Sequence, residues 1–400
     1  MTTPQPAKLQ SVEAQKYRVF IAGVCSLLLT AGLSRFAYTP LLPIMREQAG
    51  LSHLASGWLA TFNYMGYMTG ALLASSISRL RVKYYLYHIG LVVAVLSTSG
   101  MGLTDNVVIW AILRYVGGLT TTCGMLIASG LIMNWLIRHK QSPMLGFHFA
   151  GLGLGIVVSG IAVGCMVDHL RWDQQWIVLG LLGIVFLIPA WLWMPAPADI
   201  QSGTSVPVQA PPSRKWMQLL IASYFCAGFG YVVSATFIVA ILEKLPVFAG
   251  RGSWIWVVVG VAAAPSTFLW DRIARRLGQI PALLLAYALQ VLAVMGPVLA
   301  NGFMVNVFSA VLYGSTFVGI VSLTLALIGR HFPNNPAKAM ARLTLSYGVA
   351  QMVAPVMAGY IANATGSYQG ALMITALVLV AGMALLVALN RLELRGVSSR

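Results

Sequence analysis

Acidic side chains are nearly missing from this sequence: nine in 400 residues, with charged residues of both signs making up only 8%. A soluble domain carries about 25% charged residues, so a chain built around water-exposed globular surfaces is excluded. The nine are Glu13, Glu47, Asp105, Asp168, Asp173, Asp199, Glu243, Asp271 and Glu393, and each falls in a loop or at a helix end. No carboxylate stands deep in an apolar run. Exchange of a cationic drug for a proton relies on such an intramembrane carboxylate, so that mechanism loses its usual partner. Cysteine is sparse as well. Cys25, Cys123, Cys165 and Cys226 lie in apolar segments without CxxC spacing, which reads as packing rather than disulfide or metal chemistry. There is no GxxxxGK[ST] phosphate loop, no metal-ligand cluster and no soluble catalytic segment. An enzyme is not expected, nor is a cofactor.

What is present is apolar sequence. Hydrophobic residues make up 58%, and they gather in runs of the length that a bilayer core about 30 Å thick demands of a helix. Breaks between runs predict twelve helices, at 18–45, 53–78, 84–103, 107–137, 143–167, 174–194, 215–242, 252–270, 279–299, 302–329, 337–363 and 368–390. The first run is too long for the core of a cleaved signal and reads as a retained helix. The stretch PAPADIQSGTSVPVQAPPSR (195–214) is rich in Pro, Ser and Gln without apolar period, the signature of a linker. The expected plan is therefore an all-α membrane protein: a tail at 1–17, a six-helix lobe at 18–194, the linker, a second six-helix lobe at 215–390, and a tail at 391–400.

The basic residues fix the orientation. With the N-terminus inside, nineteen of the 25 Lys and Arg residues fall in cytoplasmic segments and four (Arg46, Arg171, Lys244, Arg251) in outer loops. That bias follows the positive-inside rule and accounts for the net charge of +16 without a nucleic-acid partner. Both termini are expected in the cytoplasm. The halves also resemble each other: AGLSRFAYTPLLPIMRE (31–47) aligns with AGFGYVVSATFIVAILE (227–243), 196 positions later, and Trp58 falls on Trp254.

Two positions break the apolar pattern. Arg35 lies about 17 residues into helix 1 and Arg114 about seven residues into helix 4, which at 1.5 Å per residue sets both in the outer half of the bilayer. An arginine at membrane depth costs about 2.5–3.5 kcal/mol on insertion scales and normally faces a bundle interior or a wet cavity. Two buried cations without a buried acid make a cavity that attracts anions. Tyr38 and Thr39 follow Arg35 by one turn on the same face. Asn63, Tyr231 (the repeat counterpart of Arg35), Tyr313 and Gln351 are further polar residues at depth, and His148 in helix 5 is a candidate proton carrier. For Arg114 a structural role, bonding backbone carbonyls, competes with ligand binding.

The loop after helix 8 reads WDRIARRLG (270–278). It resembles the Gly-x-x-x-Asp-Arg-x-Gly-Arg-Arg/Lys signature of the major facilitator superfamily, with Asp271, Arg272, Arg275 and Arg276 matching, Ala274 replacing the second Gly and Thr267 the first. The corresponding SRLRVK (78–83) keeps Arg79 and Lys83 but has Ser78 where the Asp belongs. Arg114, Gly117 and Gly118 resemble the helix-4 motif of that superfamily, and GLSRFAYTPLLPIM (32–45) resembles its YbfB/YjiJ-like branch. The glycines of FAGLGLGIVVSG (149–160) and YGVAQMVAPVMAG (347–359) read as close helix packing. The resemblance implies two six-helix lobes around a central cavity lined by helices 1, 4, 7 and 10, working as a monomer by alternating access. It implies a gate at Asp271, Arg272, Arg275, Arg276 and Arg79, with Asp271 meeting the start of helix 5 near Ser142. The expected function is secondary transport of a small organic anion, a carboxylate above all, across a bacterial inner membrane, with a possible coupling proton. Alternatives are efflux of hydrophobic drugs and a non-transporting sensor or scaffold.

Overall fold

The computed structural model describes residues 6–141, 145–198, 213–246, 248, 250–332 and 336–398. Among them every regular element is helical. The helices form twelve rods. In the first half α1 comprises the consecutive segments Pro6–Leu27, Leu28–Phe36 and Tyr38–Gln48, followed by α2 (His53–Ser76), α3 (Leu80–Leu103), α4 (Val107–Arg138), α5 (Gly146–Met166) and α6 (Trp172–Trp193). In the second half α7 is Arg214–Leu242, and α8 is Gly252–Ala263 plus Ser266–Leu277, bent by 43°. Then come α9 (Gln279–Leu299), α10 (Phe303–His331), α11 (Pro336–Thr365) and α12 (Gln369–Ser398). By length and apolar content ten of these rods qualify to cross a membrane, eleven when the bent α8 counts as one span.

Local chemistry sets the boundaries. Side-chain oxygens of Ser52, Asn106 and Ser213 accept from backbone N–H groups in the first turns of α2, α4 and α7, filling donors that a helix start leaves open. Gly278 separates α8 from α9 at φ +93°, a conformation that a Cβ disfavours.

Burial separates inner from outer rods and pairs the two halves. The most apolar windows of α1 and α7 are 83% and 89% buried, those of α6 and α12 only 28% and 39%. The outer rods expose Leu96, Val185, Leu192, Leu292 and Leu377, as a surface facing lipid should. Positions equivalent by the 196-residue repeat thus take equivalent places.

The lobes meet along two seams, α2 on α11 and α5 on α8, both of which need missing side chains. A Cβ at Gly57 would have no room beside the Pro355 carbonyl, and one at Gly153 would sit 2.5 Å from the Ala264 nitrogen. Such close approach is how helices associate where lipid removes the hydrophobic drive. Among the described residues, three side-chain hydrogen bonds cross between lobes. Thr39 Oγ1 donates to Ala235 O at 2.5 Å, Thr61 Oγ1 donates to Met352 O at 2.8 Å, and His53 Nδ1 bonds Tyr368 Oη at 2.9 Å. All three lie toward the face opposite the termini, which they close, while nearer the termini the lobes touch through the rings of Phe147 and Phe268, 6.0 Å apart.

Candidate functional site

The central rod α1 does not run as a regular α-helix through the membrane. Leu28–Phe36 is a π-helical segment, closed by the bond from Ala37 N to Gly32 O, five residues back, at 2.9 Å. Such wide turns are uncommon and cluster at functional sites. Arg35 sits in this one and is 6% exposed. Its guanidinium carbon lies 4.5 Å from the ring centre of Tyr64, 5.2 Å from Tyr67 and 5.5 Å from Phe36. Tyr231 of the other lobe is near enough to interact with both Arg35 and Tyr64. Desolvated cation–π contacts contribute about 2 kcal/mol, so the rings offset part of the burial. They leave the Nε donor without a partner.

Arg114 has a different environment. Its Nη1 donates to Ser34 O at 3.0 Å and its Nε to Leu59 O at 3.5 Å, while Tyr38 covers its other side at 4.4 Å. It therefore ties α4 to α2 and to the residue directly before Arg35. Asn63 belongs to the same brace, donating from Nδ2 to Arg114 O at 2.9 Å. The two arginines are the buried charged side chains among the described residues. One is held by carbonyls, the other by π faces.

The remaining candidates divide accordingly. Tyr38 and Thr39 do not join Arg35: Tyr38 donates to Ser56 O at 3.0 Å, and Thr39 crosses to Ala235. The π turn shifts the register of the rod just after Arg35, so one-turn spacing no longer means one face. Tyr313 donates to the backbone carbonyl of Tyr231 at 2.7 Å, which ties α10 to α7 at that turn. Gln351 is 3% exposed with Oε1 unpartnered. His148 is fully buried against Gly23 with neither ring nitrogen bonded, some way along the lobe from Arg35.

Around Tyr231 the second lobe presents a row of rings, of which the sequence singles out Tyr231 and Tyr313 but not Phe317, Tyr347 or Tyr224. Tyr313 stacks on Phe317 at 5.3 Å, Phe317 on Tyr231 at 5.1 Å, Tyr231 on Tyr347 at 6.0 Å, and Tyr347 leans on Tyr224 at 4.7 Å. Spacing gave a partial signal: Tyr64 and Tyr67 are three residues apart and so share a face of α2, as do Tyr313 and Phe317, four apart, on α10.

At the face carrying the termini, Asp271, Arg272, Arg275, Arg276 and Arg79 are all exposed. Asp271 pairs with Arg275 one turn along the same helix. Ser142, its expected partner, lies outside the described residues. The opposite face holds an unforeseen chain: Arg46 Nη2 meets His53 Nε2 at 2.6 Å, and His53 Nδ1 meets Tyr368 Oη at 2.9 Å. Since arginine only donates, Nε2 accepts and the ring proton sits on Nδ1, pointing to Tyr368.

Residues 27–387 match the family model described as "Uncharacterised MFS-type transporter YbfB". The chain is 24% identical over 407 residues to the probable sulfoacetate transporter SauU of Cupriavidus necator, covering 92% of each. Two shorter matches are to the uncharacterized transporter mfc1 of Schizosaccharomyces pombe, 26% identical over 152 residues, and to the 4-hydroxybenzoate transporter PcaK of Pseudomonas putida, 25% over 175. They cover 38% and 42% of this chain but 31% and 37% of those proteins. Among solved structures, a mutant of the nucleoside transporter NupG superposes with a TM-score of 0.77 at 13% identity, over 94% of this chain and 99% of that one.

Proposed function

The chain belongs to the major facilitator superfamily, among its YbfB-like transporters, and on that premise we propose that it moves a small organic anion, a carboxylate above all, by alternating access. One observation carries the reading. Arg35 is a cation at the middle of the central rod, buried, with no buried carboxylate among the described residues and an unused donor. A guanidinium fork holds a carboxylate through two parallel hydrogen bonds, so an anionic substrate supplies the missing counter-ion. Two relatives are named for organic anions, sulfoacetate and 4-hydroxybenzoate, which agrees with this class.

In this reading Arg35 binds the anion, and Tyr231, Tyr313 and Gln351 border it from the second lobe. Arg114, Asn63, Tyr38 and Thr39 hold the shape of the site. The lobes at 18–194 and 215–390 rock about the two glycine seams, joined by the linker 195–214. The charge bias puts the termini in the cytoplasm of a bacterial inner membrane. The face closed by the three hydrogen bonds is then the external one. His148 is the candidate for a coupling proton, and a single copy suffices for transport. The test is counterflow in proteoliposomes: labelled carboxylates should accumulate against a preloaded unlabelled pool. Absence of counterflow across a panel of organic acids overturns the proposal.

A further inference from the structure

Resting on that reading, the structure narrows the substrate: we propose that the anion is a monocarboxylate carried on a planar aromatic ring. Two observations converge on it. The first concerns charge. Arg114 is anchored to Ser34 O and Leu59 O through Nη1 and Nε and is covered by Tyr38, so of the two buried cations Arg35 is the one without a backbone anchor. One guanidinium fork matches one carboxylate. A dicarboxylate would bring a second buried charge, and the other buried cation, Arg114, is held in place by its carbonyl partners rather than turned to meet it.

The second concerns what surrounds Arg35. Its guanidinium lies over the rings of Tyr64 and Tyr67, and across the lobe boundary stands the stack Phe317, Tyr231 and Tyr347. In this arrangement the protein's own rings occupy the space beside the cation. They stand in for a ligand whose ring would enter the stack while its carboxylate takes the fork and the unpartnered Nε. An aryl acid replaces each displaced π contact with another of the same kind. An aliphatic acid of equal size breaks the stack and gives nothing back. Aromatic pairs contribute beyond their buried area by an amount equal to about 2- to 10-fold in affinity per ring contact, and two such contacts decide between otherwise matched acids.

The test compares benzoate with cyclohexanecarboxylate, which has the same charge and nearly the same size but no π face, and with butyrate. Binding is measured by calorimetry on the purified full chain. Benzoate should bind at least about tenfold more tightly than cyclohexanecarboxylate. Phe317→Leu should reduce that preference to about threefold or less while benzoate still binds, and Tyr231→Phe, which keeps the ring, should preserve it. Arg35→Gln should lose all three acids. Equal affinity for benzoate and cyclohexanecarboxylate, both abolished by Arg35→Gln, overturns the aromatic inference and leaves the anion reading standing. A preference unchanged in Phe317→Leu also overturns it. No binding of any acid to the native chain removes both.

Discussion

Thr39 and Ala235 are joined by a hydrogen bond, from Thr39 Oγ1 to Ala235 O, and they are 196 positions apart. That offset is the one by which the sequence of the first lobe maps onto the second, so the bond links a residue to its own repeat equivalent. Two equivalent residues can touch only where the pseudo-two-fold axis runs between them. The axis therefore passes through the seal on the face opposite the termini.

The seal should weaken when this bond is removed. A neutral hydrogen bond contributes about 0.5–1.5 kcal/mol, equal to roughly 2- to 12-fold in a two-state population. Thr39→Val keeps the shape and deletes the donor. With Ser56→Cys introduced into a background free of native cysteines, labelling by an impermeant maleimide from the opposite face should accelerate by that factor. An unchanged labelling rate would show that the bond does not hold the seal.

The α5–α8 seam makes a second expectation. A Cβ at Gly153 would meet backbone atoms of Ala264 at 2.5–2.6 Å, and backbone cannot rotate away as a side-chain end can. Gly153→Ala should push the lobes apart and slow transport at least about tenfold, in keeping with the loss of close packing. Gly130→Ala, where nothing lies within 4 Å, should be silent. Equal transport rates in the two variants would mean that the seam yields without cost.

Much of this architecture is legible in the sequence, because the bilayer imposes it. Twelve apolar runs and a repeat visible between residues 31–47 and 227–243 specify the rods and their pairing. The interior of the site is legible only in part. Arg35 stands out since a cation in lipid needs a reason. The face it shares does not, because a π turn breaks the 3.6-residue periodicity at that point and sends Tyr38 and Thr39 elsewhere. Tyr64, Tyr67, Phe317 and Tyr347 are ordinary apolar residues in a membrane sequence until their partners are known. His53 and Tyr368 are 315 positions apart, and no local pattern joins them.

Glu243, just past the end of α7, gives a pH dependence. Its carboxylate accepts from the backbone of Gly250 and, at 2.7 Å, of Gly252. Burial holds its pKa above the usual carboxylate range, opposed by those two donors and aided by Glu47. An acid with a raised folded-state pKa contributes most stability when protonated and loses it as pH rises through that pKa. Glu243→Gln should therefore compare more favourably with the native chain at neutral pH than in acid. The check is the difference in Tm between the two proteins across that range. A difference that runs the other way would mean that the backbone donors outweigh burial.

At the face carrying the termini, Asp271 spends this conformation in an exposed pair with Arg275, and such pairs contribute about 0–1 kcal/mol. Asp271→Asn should leave Tm nearly unchanged. If the carboxylate clasps the start of α5 in the alternate state, where a helix N-terminus favours it by about 0.3–1 kcal/mol, the variant should favour the inward-open state. Cysteine labelling from the cytoplasmic side should then rise, and Ser78→Asn should not raise it. Equal responses to the two changes would remove the clasp.

The two arginines should separate cleanly on substitution. Arg114 donates to two buried helical carbonyls, and its removal deletes both bonds from a charged donor, at about 1.5–3 kcal/mol each. Arg114→Ala should therefore lower Tm in the absence of any substrate, and it should reduce transport through misplacement of the π segment. Arg35 satisfies no carbonyl, and its own Nε is unpartnered. Arg35→Gln removes a buried charge together with its π contacts, two terms of opposite sign, so the empty protein should melt close to the native temperature. Its loss should appear in substrate affinity instead: a hydrogen-bonded ion contact of about 1.5–3 kcal/mol corresponds to roughly 10- to 100-fold. Arg35→Lys, a point charge in place of a fork, should fall between. The measurement is paired, Tm without ligand and Kd for a carboxylate on the same preparations. A collapse of the empty protein in Arg35→Gln, with affinity intact in whatever remains folded, would make Arg35 a packing element and transfer the search for the anion's partner to Arg114.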